Sequence, residues 1–405
     1  MGDHKIEPLR KDLKKEVMTV QSFSMRLSGR VLFGPGTVAQ LGDIARTLGA
    51  KRALVVSDPN VERLGHVNRI CELLQKAGIE ARAFAEVEPD PSVDTADKAA
   101  GIAKDFGAQL VVGIGGGSSL DIAKAASVLA TNPGSAASYQ GLGLVKNAGL
   151  PKILIPTTAG TGSEVTFTAV LIRKKEGIKA GINDEKLYAD YAILDPELTL
   201  SLPPRATAST GMDAFIHAFE AYVGKSATPF SDIFAESAIK RVGRWLRVAT
   251  WDGRNLEARC EMMLASYYGG AALANAGVGA CHALSYPLGG LFGVPHGLAN
   301  ALLIPYVTRH SVMANPERYA EAAILLGKER GASLRDAALA CAEALEELVS
   351  DLNLPRTLKD LGIKIEEGRL QEMARGAMAV DRPMANNPRP FDEELCAKVY
   401  KEAMG

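Results

Sequence analysis

The strongest constraint on the fold is a change of sequence pattern at Leu202-Pro203-Pro204. Before this point, short apolar runs alternate with stretches of helical periodicity. After it, strand-like runs almost vanish, and stretches rich in Ala, Leu and Glu dominate. Alternating β and α segments predict a parallel sheet with helices on both faces, and the later pattern predicts an all-α region. We therefore expect an α/β domain over residues 22–203 and a helical domain over residues 204–405.

The individual segments follow the same division. In the first part, predicted helices cover residues 61–77, 95–106 and 119–130, and predicted strands cover residues 52–58, 80–87, 110–114 and 152–156. Two later apolar runs predict an antiparallel addition, over residues 165–172 and 178–182. In the second part, the pattern predicts helices over residues 205–223, 231–250, 256–275, 280–289, 298–313, 332–352 and 367–379.

Composition and charge exclude several classes of protein. The chain has 405 residues, of which 47% are hydrophobic, and this is enough for a large buried core. A formal net charge of -1 gives no basic excess for nucleic acid, and no apolar run reaches the roughly 18 residues of a membrane span. Residues 1–21 form a charged N-terminal extension without the apolar centre of a secretory signal. Five scattered cysteines without a CxxC predict reduced thiols and a cytoplasmic protein.

Three histidines and one aspartate have the spacing of a metal site. Asp213 and His217 are four residues apart, so on a helix they share a face and can bind one ion. His282 and His296 supply two further imidazoles. Carboxylate and imidazole ligands without thiolate suit a divalent ion such as Fe(II) or Zn(II). Taken singly, each has a simpler explanation, because a histidine near apolar residues is usually a core residue and Asp213 could cap its helix.

A glycine-rich loop, residues 113–121 (GIGGGSSLD), follows a predicted strand and begins a predicted helix. Glycines allow close backbone approach, and a helix N-terminus offers free N–H groups and a positive dipole to a pyrophosphate. Ser118 and Asp121 fit a capping box in which Asp replaces Glu. The alternative is a tight turn without a ligand. The loop departs from G-x-G-x-x-G, and no acid lies about 20 residues downstream, where dinucleotide-binding folds have one.

Two other segments at strand ends fit a cofactor site. Asp58 ends a strong predicted strand, where a carboxylate accepts hydrogen bonds from a ribose 2′-hydroxyl and repels a 2′-phosphate. That role favours NAD over NADP, and the alternative role is to cap the helix after Pro59. Residues 156–164 (PTTAGTGSE) suit either a cofactor crevice or an ordinary Ser/Thr turn. A metal beside a dinucleotide indicates hydride transfer at a polarised alcohol.

Several further motifs occur in a fixed order. Besides the two loops, the chain contains residues 30–36 (RVLFGPG), 281–289 (CHALSYPLG), 294–300 (VPHGLAN) and 386–389 (NNPR). In this combination the chain resembles the iron-containing (group III) alcohol dehydrogenase family, from about Phe23 to the last of these segments.

The resemblance implies a Rossmann-like N-terminal domain, a helical metal-binding domain and a cleft between them. It implies that one Fe(II), with Zn(II) as the alternative, is held by Asp213, His217, His282 and His296. It also implies NAD as the cofactor, with the adenosine ribose at Asp58 and the pyrophosphate at the glycine-rich loop. The full set of implied cofactor-binding residues is Asp58, Asp90, Gly115, Gly116, Gly117, Ser118, Asp121, Thr157, Thr158, Thr166 and Lys179.

Tyr286 lies where similar lactaldehyde reductases have the second histidine of H-x-x-x-H. It either relays a proton or shapes the substrate pocket. The resemblance places that pocket at Phe167, Leu273 and Tyr286, together with the loop over residues 383–388. We predict a metal-dependent NAD(H) alcohol dehydrogenase or aldehyde reductase, in which the metal is a Lewis acid. The predicted substrate is a small primary alcohol, a diol or its aldehyde, and a glycerol-like polyol dehydrogenase is the alternative. A homodimer is the family expectation.

Two other classes of protein fit part of the pattern. A metal-dependent lyase or cyclase of the dehydroquinate synthase type has a related fold, and production of NADH from a simple alcohol would separate the two. A non-catalytic interaction protein on a dehydrogenase scaffold is disfavoured by the complete set of four ligands, because disuse should erode ligands first.

Overall fold

The computed structural model describes residues 22–405, so the predicted extension over residues 1–21 lies outside the described residues. Its strands are β1 Arg30–Phe33, β2 Arg52–Val56, β3 Glu80–Phe84, β4 Leu110–Gly115, β5 Gly141–Leu142, β6 Lys152–Pro156, β7 Thr168–Arg173, β8 Ile178–Asn183 and β9 Tyr191–Leu194. The α-helices between them are α1 Leu41–Thr47, α2 Pro59–Arg63, α3 His66–Lys76, α4 Val93–Phe106 and α5 Gly117–Leu129.

From Pro204 onward, the described chain contains helices and no strand, as the change of pattern predicts. The α-helices are α6 Pro204–Val223, α7 Pro229–Trp251, α8 Leu256–Ala276, α9 Ala280–Phe292, α10 His296–Ser311, α11 Pro316–Leu325, α12 Leu334–Asp351, α13 Glu367–Met378, α14 Asp381–Asn386 and α15 Glu393–Glu402. No helix among residues 22–405 has the length and apolar character needed to span a membrane. All five cysteines are free thiols.

The main sheet has six parallel strands in the order β1-β9-β6-β4-β2-β3. The central strands β4 and β6 are buried along their whole length, because they are covered on both faces. The chain places β3 on one side of β2 and β4 on the other, so the strand order reverses between β2 and β4. Open α/β sheets bind ligands beyond the carboxyl ends of their strands at such a point. The predicted fold class is confirmed.

Three details of the first part differ from the prediction. The predicted helix over residues 61–77 is two helices, α2 and α3, because the chain turns at Gly65, whose φ of 81° suits glycine. The predicted antiparallel pair is present as β7 and β8, but it forms a separate three-stranded sheet with β5. Strands β1 and β9 complete one side of the main sheet and were not predicted, since each has only four residues.

Helix α6 is the central element of the helical part. It packs against α7, α8 and α10, and every residue from Gly211 to Val223 is buried. The loop after β6 packs directly on this helix, since a Cβ atom at Gly160 would lie 2.8 Å from Cβ of Thr210. This contact brings a predicted cofactor loop to within one helical turn of Asp213.

Candidate active site

The structure brings the four predicted metal ligands together. Asp213 and His217 lie on α6, His282 lies in the first turn of α9, and His296 is the first residue of α10. One ligand atom from each side chain lies within 4.8 Å of the others. Nε2 of His217 and Nε2 of His296 lie 4.0 and 3.8 Å from Oδ1 of Asp213.

The protonation states of this cluster suit metal binding. Burial lowers the pKa of His217, and it lowers the pKa of His296 to about 3. Burial opposes ionisation of Asp213, but the surrounding imidazoles and the Asn300 amide outweigh it, and the pKa of Asp213 lies below its ordinary value. At neutral pH the carboxylate is therefore ionised and these two imidazoles are neutral, as coordination requires.

The cluster also leaves a ligand nitrogen without a partner in the described part of the chain. Nε2 of His282 is buried and has no hydrogen-bond partner within residues 22–405. A buried polar atom without a partner costs about 1–3 kcal/mol, so unpaired atoms call for an explanation. A cation beside Nε2 of His282 supplies one, and three nitrogens with one carboxylate are donors that Fe(II) and Zn(II) accept. The residues present therefore fit a divalent metal ion.

Two further side chains support the cluster, and sequence reasoning missed both. Oε2 of Glu220 lies 2.5 Å from Nδ1 of His282. Nδ2 of Asn300 donates to Oδ1 of Asp213 at 3.1 Å. Glu220 follows Asp213 by seven residues, or about two helical turns, so the shared face of α6 was a usable signal. Asn300 lies four residues after His296 on α10 and gives the same kind of signal.

The glycine-rich loop differs from the predicted capping box. Helix α5 begins at Gly117, with Gly116 as the N-cap residue and no side-chain cap. The capping box of Ser118 and Asp121 is therefore wrong, because the helix starts before Ser118. Asp121 is turned away from the helix end and accepts a hydrogen bond from Oγ of Ser163 at 2.6 Å. The first-turn N–H groups consequently have no side-chain acceptor and are available to an anion.

Asp58 lies beside this loop and caps α2, which confirms the capping interpretation. Its Oδ1 accepts the N–H groups of Asn60 and Val61 at 2.9 and 3.1 Å. A Cβ atom at Gly115 would lie 2.6 Å from Oγ of Ser119 and 3.1 Å from Oδ2 of Asp58. Gly115 also has a φ of 145°, so a side chain at this position would be both crowded and strained.

The second polar loop lies against the first. The N–H of Thr157 donates to the carbonyl oxygen of Gly115 at 2.9 Å. The hydroxyl of Thr158 faces Gly116, where a Cβ atom would lie 3.7 Å from Oγ1 of Thr158. The two loops that the sequence singled out therefore form one continuous surface at the carboxyl ends of β4 and β6.

Among the remaining predicted cofactor residues, Lys179 pairs with Asp90, and Thr166 contacts a buried lysine that was not predicted. Nζ of Lys179 donates to Oδ1 of Asp90 at 2.7 Å, and Asp90 has a φ of 51°. Oγ1 of Thr166 lies 3.2 Å from Nζ of Lys124, a buried lysine that also bonds to the carbonyl oxygen of Ser163. Thr166 is thus held to α5, the helix that begins at the glycine-rich loop.

Two family models match the chain in succession. The model described as iron-containing alcohol dehydrogenase matches residues 28–196, and the model of the C-terminal part of the Fe-containing alcohol dehydrogenase family matches residues 207–404. The chain belongs to the iron-containing alcohol dehydrogenase family. The resemblance inferred from the sequence motifs is confirmed.

Named members of the family are similar over almost their whole length. Long-chain-alcohol dehydrogenase 1 of Geobacillus thermodenitrificans is 41% identical, over 92% of this chain and 96% of that protein. Sulfoacetaldehyde reductase of Bilophila wadsworthia is 41% identical, over 89% of this chain and 93% of that protein.

Solved structures of the family have the same fold. A crystal structure of 1,3-propanediol oxidoreductase has a TM-score of 0.92 at 37% identity, covering 95% of this chain and 100% of its own. The sulfoacetaldehyde reductase of Bifidobacterium kashiwanohense, in complex with NAD+, has a TM-score of 0.86 at 32% identity, covering 95% and 99%.

The three predicted pocket residues lie in different surroundings. Tyr286 is one helical turn after His282, and its ring centroid lies 6.0 Å from that of His296. Burial raises the pKa of Tyr286, and the carboxylates of Asp213 and Glu220 raise it further. The ring of Phe167 packs 5.7 Å from that of Tyr188, and Leu273 lies partly buried in α8. Of the three, the geometry links Tyr286 to the metal cluster.

Proposed function

We propose that this dehydrogenase interconverts a small primary alcohol or diol and its aldehyde, with NAD(H) as the cofactor. The main support is the cluster of four ligand atoms within 4.8 Å on helical residues, three of them buried and His296 half-buried, beside two loops at the carboxyl edge of a parallel sheet. The names of its relatives refer to long-chain alcohols, sulfoacetaldehyde and 1,3-propanediol, and one relative was solved with NAD+. The substrate of this chain belongs to the same chemical class.

Four residues of the helical part would hold one Fe(II), or alternatively Zn(II): Asp213, His217, His282 and His296. When bound, the ion would supply Lewis acidity and the nicotinamide cofactor would supply the capacity to accept or donate a hydride. Asp213 contributes the negative charge that offsets the cation. The neutral imidazoles of His217 and His296 offer lone pairs without first releasing a proton.

Residues of the α/β part bind and orient the cofactor. The N–H groups of the first turn of α5 bind the pyrophosphate, which Gly115, Gly116 and Gly117 allow to approach the backbone. Asp58 accepts the ribose hydroxyl and repels a 2′-phosphate, so NAD is preferred to NADP. The same cofactor site includes Asp90, Ser118, Asp121, Thr157, Thr158, Thr166 and Lys179.

Tyr286, Phe167 and Leu273 line the substrate pocket, with Tyr286 nearest the metal ligands. The cofactor domain extends over residues 22–203 and the metal-binding domain over residues 204–405, with the cleft between them. The protein acts in the cytoplasm as a homodimer.

The proposal is tested by absorbance at the NADH band. Purified protein, stripped of metal and reloaded separately with Fe(II) or Zn(II), is assayed against a panel of aldehydes, alcohols, diols and glycerol. Turnover with a primary alcohol or aldehyde supports the proposal, and preference for glycerol supports the polyol alternative. The proposal would be overturned if the metal-loaded protein neither produced nor consumed NADH with any member of the panel.

A further inference from the structure

We propose that Glu220 is a positioning residue that fixes the ring of His282 in the tautomer and orientation of a metal ligand. The inference rests on the proposed metal site and adds to it a residue that does not touch the ion. Glu220 lies on α6 together with Asp213 and His217, whereas His282 lies on α9. One carboxylate therefore connects the two helices that carry three of the four ligands.

The contact determines which nitrogen of His282 carries the proton. Oε2 of Glu220 and Nδ1 of His282 are 2.5 Å apart, with only 3% and 4% of the two side chains exposed. A carboxylate accepts hydrogen bonds, so Nδ1 must be the protonated nitrogen. Nε2 then has a free lone pair, and this atom is buried with no hydrogen-bond partner among the described residues. Carboxylate–histidine pairs of this kind orient ligands in known metal sites.

The second oxygen of Glu220 fixes the start of α9. Oε1 accepts the N–H of Cys281 at 2.7 Å, and α9 has no side-chain cap from its own N-cap residue, Gly279. A Cβ atom at Gly279 would lie 2.8 Å from Oε1, so glycine leaves the space in which the carboxylate approaches the helix end. Glu220 thus satisfies two donors at once, one from the backbone and one from the imidazole.

Glu220→Gln is the sharpest test, because it keeps the shape and removes one acceptor. If the amide oxygen stays on the N–H of Cys281, the amide NH2 faces Nδ1 of His282. That arrangement favours the tautomer protonated at Nε2, which has no lone pair for a metal. If the amide flips, the bond to Cys281 is lost. In either case we expect the affinity for the metal to fall by about 10- to 100-fold.

Metal affinity is measured by titrating Co(II) and Zn(II) against a competing chelator, and the Co(II) absorption spectrum reports the ligands. Loss of the His282 imidazole changes that spectrum, whereas a general loosening of the fold lowers affinity without a new spectral form. Glu321→Gln is the matched control. Glu321 accepts a hydrogen bond from the hydroxyl of Tyr222, which lies on α6 like Glu220, and Glu321 is not part of the metal cluster. This variant should bind metal as wild type does.

The outcomes separate this inference from the proposed function. Wild-type protein that binds no metal would refute the metal centre itself. Wild type and Glu220→Gln that bind with equal affinity and equal Co(II) spectra would overturn the role of Glu220 alone. If Glu220→Gln does not fold, Gly279→Ala displaces the carboxylate from the other side and should weaken metal binding in the same direction, and unchanged binding there would refute the role.

Discussion

The hydroxyl of Ser119 donates a hydrogen bond to Oδ2 of Asp58 at 3.1 Å. This contact joins the first turn of α5, the helix that follows β4, to Asp58, which lies just after the end of β2. Because the strand order reverses between β2 and β4, Asp58 lies where sheets of this type bind a dinucleotide. The same carboxylate also caps α2 through its other oxygen, so it serves both the fold and the proposed cofactor site.

Asp58→Asn should therefore shift the preference between the two nicotinamide cofactors. Asn remains a good N-cap residue, so α2 is retained, but the negative charge that repels a 2′-phosphate is removed. We expect the ratio of kcat/KM for NADPH to kcat/KM for NADH to rise about tenfold, equivalent to about 1.4 kcal/mol. Ser119→Ala, which removes the hydrogen bond and leaves the charge, should keep the preference for NADH. An unchanged ratio in Asp58→Asn would argue against a ribose contact.

His282→Ala should abolish both metal binding and turnover. The substitution removes one of three imidazoles from a buried cluster and leaves the carboxylate of Glu220 without its partner. Metal content by atomic emission and activity at the NADH band are the two measurements. His310→Ala is the control, because His310 pairs with Glu402 and lies outside the cluster, and it should retain both properties. Full activity in metal-stripped His282→Ala protein would refute the metal mechanism.

Local pattern relates Asp213 to His217 and puts Glu220 on the same face of the helix, but it does not show which residue Glu220 pairs with. The ligand roles of His282 and His296 rested on the resemblance to a family. Asp213 and His217 share a face of one helix, and that relationship follows from spacing alone. The pairing of Glu220 with His282 joins residues 62 positions apart, and it depends on how α9 approaches α6. Such an approach is a property of tertiary packing, so no window of sequence contains it.

The errors in the predicted fold also arose because local pattern does not contain tertiary contacts. Ser118 and Asp121 match the spacing of a capping box, but Asp121 is drawn to Ser163 and to the ammonium group of Lys124 instead. Strand β1 is a short edge strand of four mostly exposed residues, so its apolar run Val31-Leu32-Phe33 is shorter than β4 and gives a weaker signal. A long central strand carries its own signal, whereas a short edge strand is defined by its neighbour β9.

Tyr286→Phe should retain most of the activity. Burial and nearby carboxylates raise the pKa of Tyr286, so its hydroxyl holds its proton at neutral pH and is a poor base. General acid–base catalysis contributes about 10²–10⁴-fold, so loss of a true relay would reduce kcat by at least that lower bound. We expect kcat of Tyr286→Phe to fall by less than about tenfold. A reduction of 100-fold or more, rescued by Tyr286→His, would instead assign Tyr286 a proton-transfer role.

Glu164 should make the stability of the protein decrease with rising pH. This side chain is 1% exposed, and burial raises its pKa to about 7 against the opposing effects of a backbone hydrogen bond and of Lys124. In the unfolded chain the carboxyl ionises near its ordinary value of 4.5. Between these two pH values the Glu164 carboxyl is mostly protonated in the folded protein and mostly ionised in the unfolded chain. The contribution to stability is therefore complete below pH 4.5 and is lost as the pH rises through 7.

Glu164→Gln stays neutral, so its Tm should rise relative to wild type as the pH increases from 4.5 to above 7. The upper limit of the relative gain is about 3 kcal/mol. Glu88→Gln is the matched control with the opposite sign, because hydrogen bonds from Thr95 and Ser92 outweigh burial and lower the pKa of Glu88 to about 2. Above the ordinary pKa of 4.5, Glu88 is ionised in both the folded and the unfolded chain. The difference in Tm between Glu88→Gln and wild type should therefore stay constant as the pH rises above that value. A constant difference for Glu164→Gln as well would show that Glu164 ionises without cost in the folded protein.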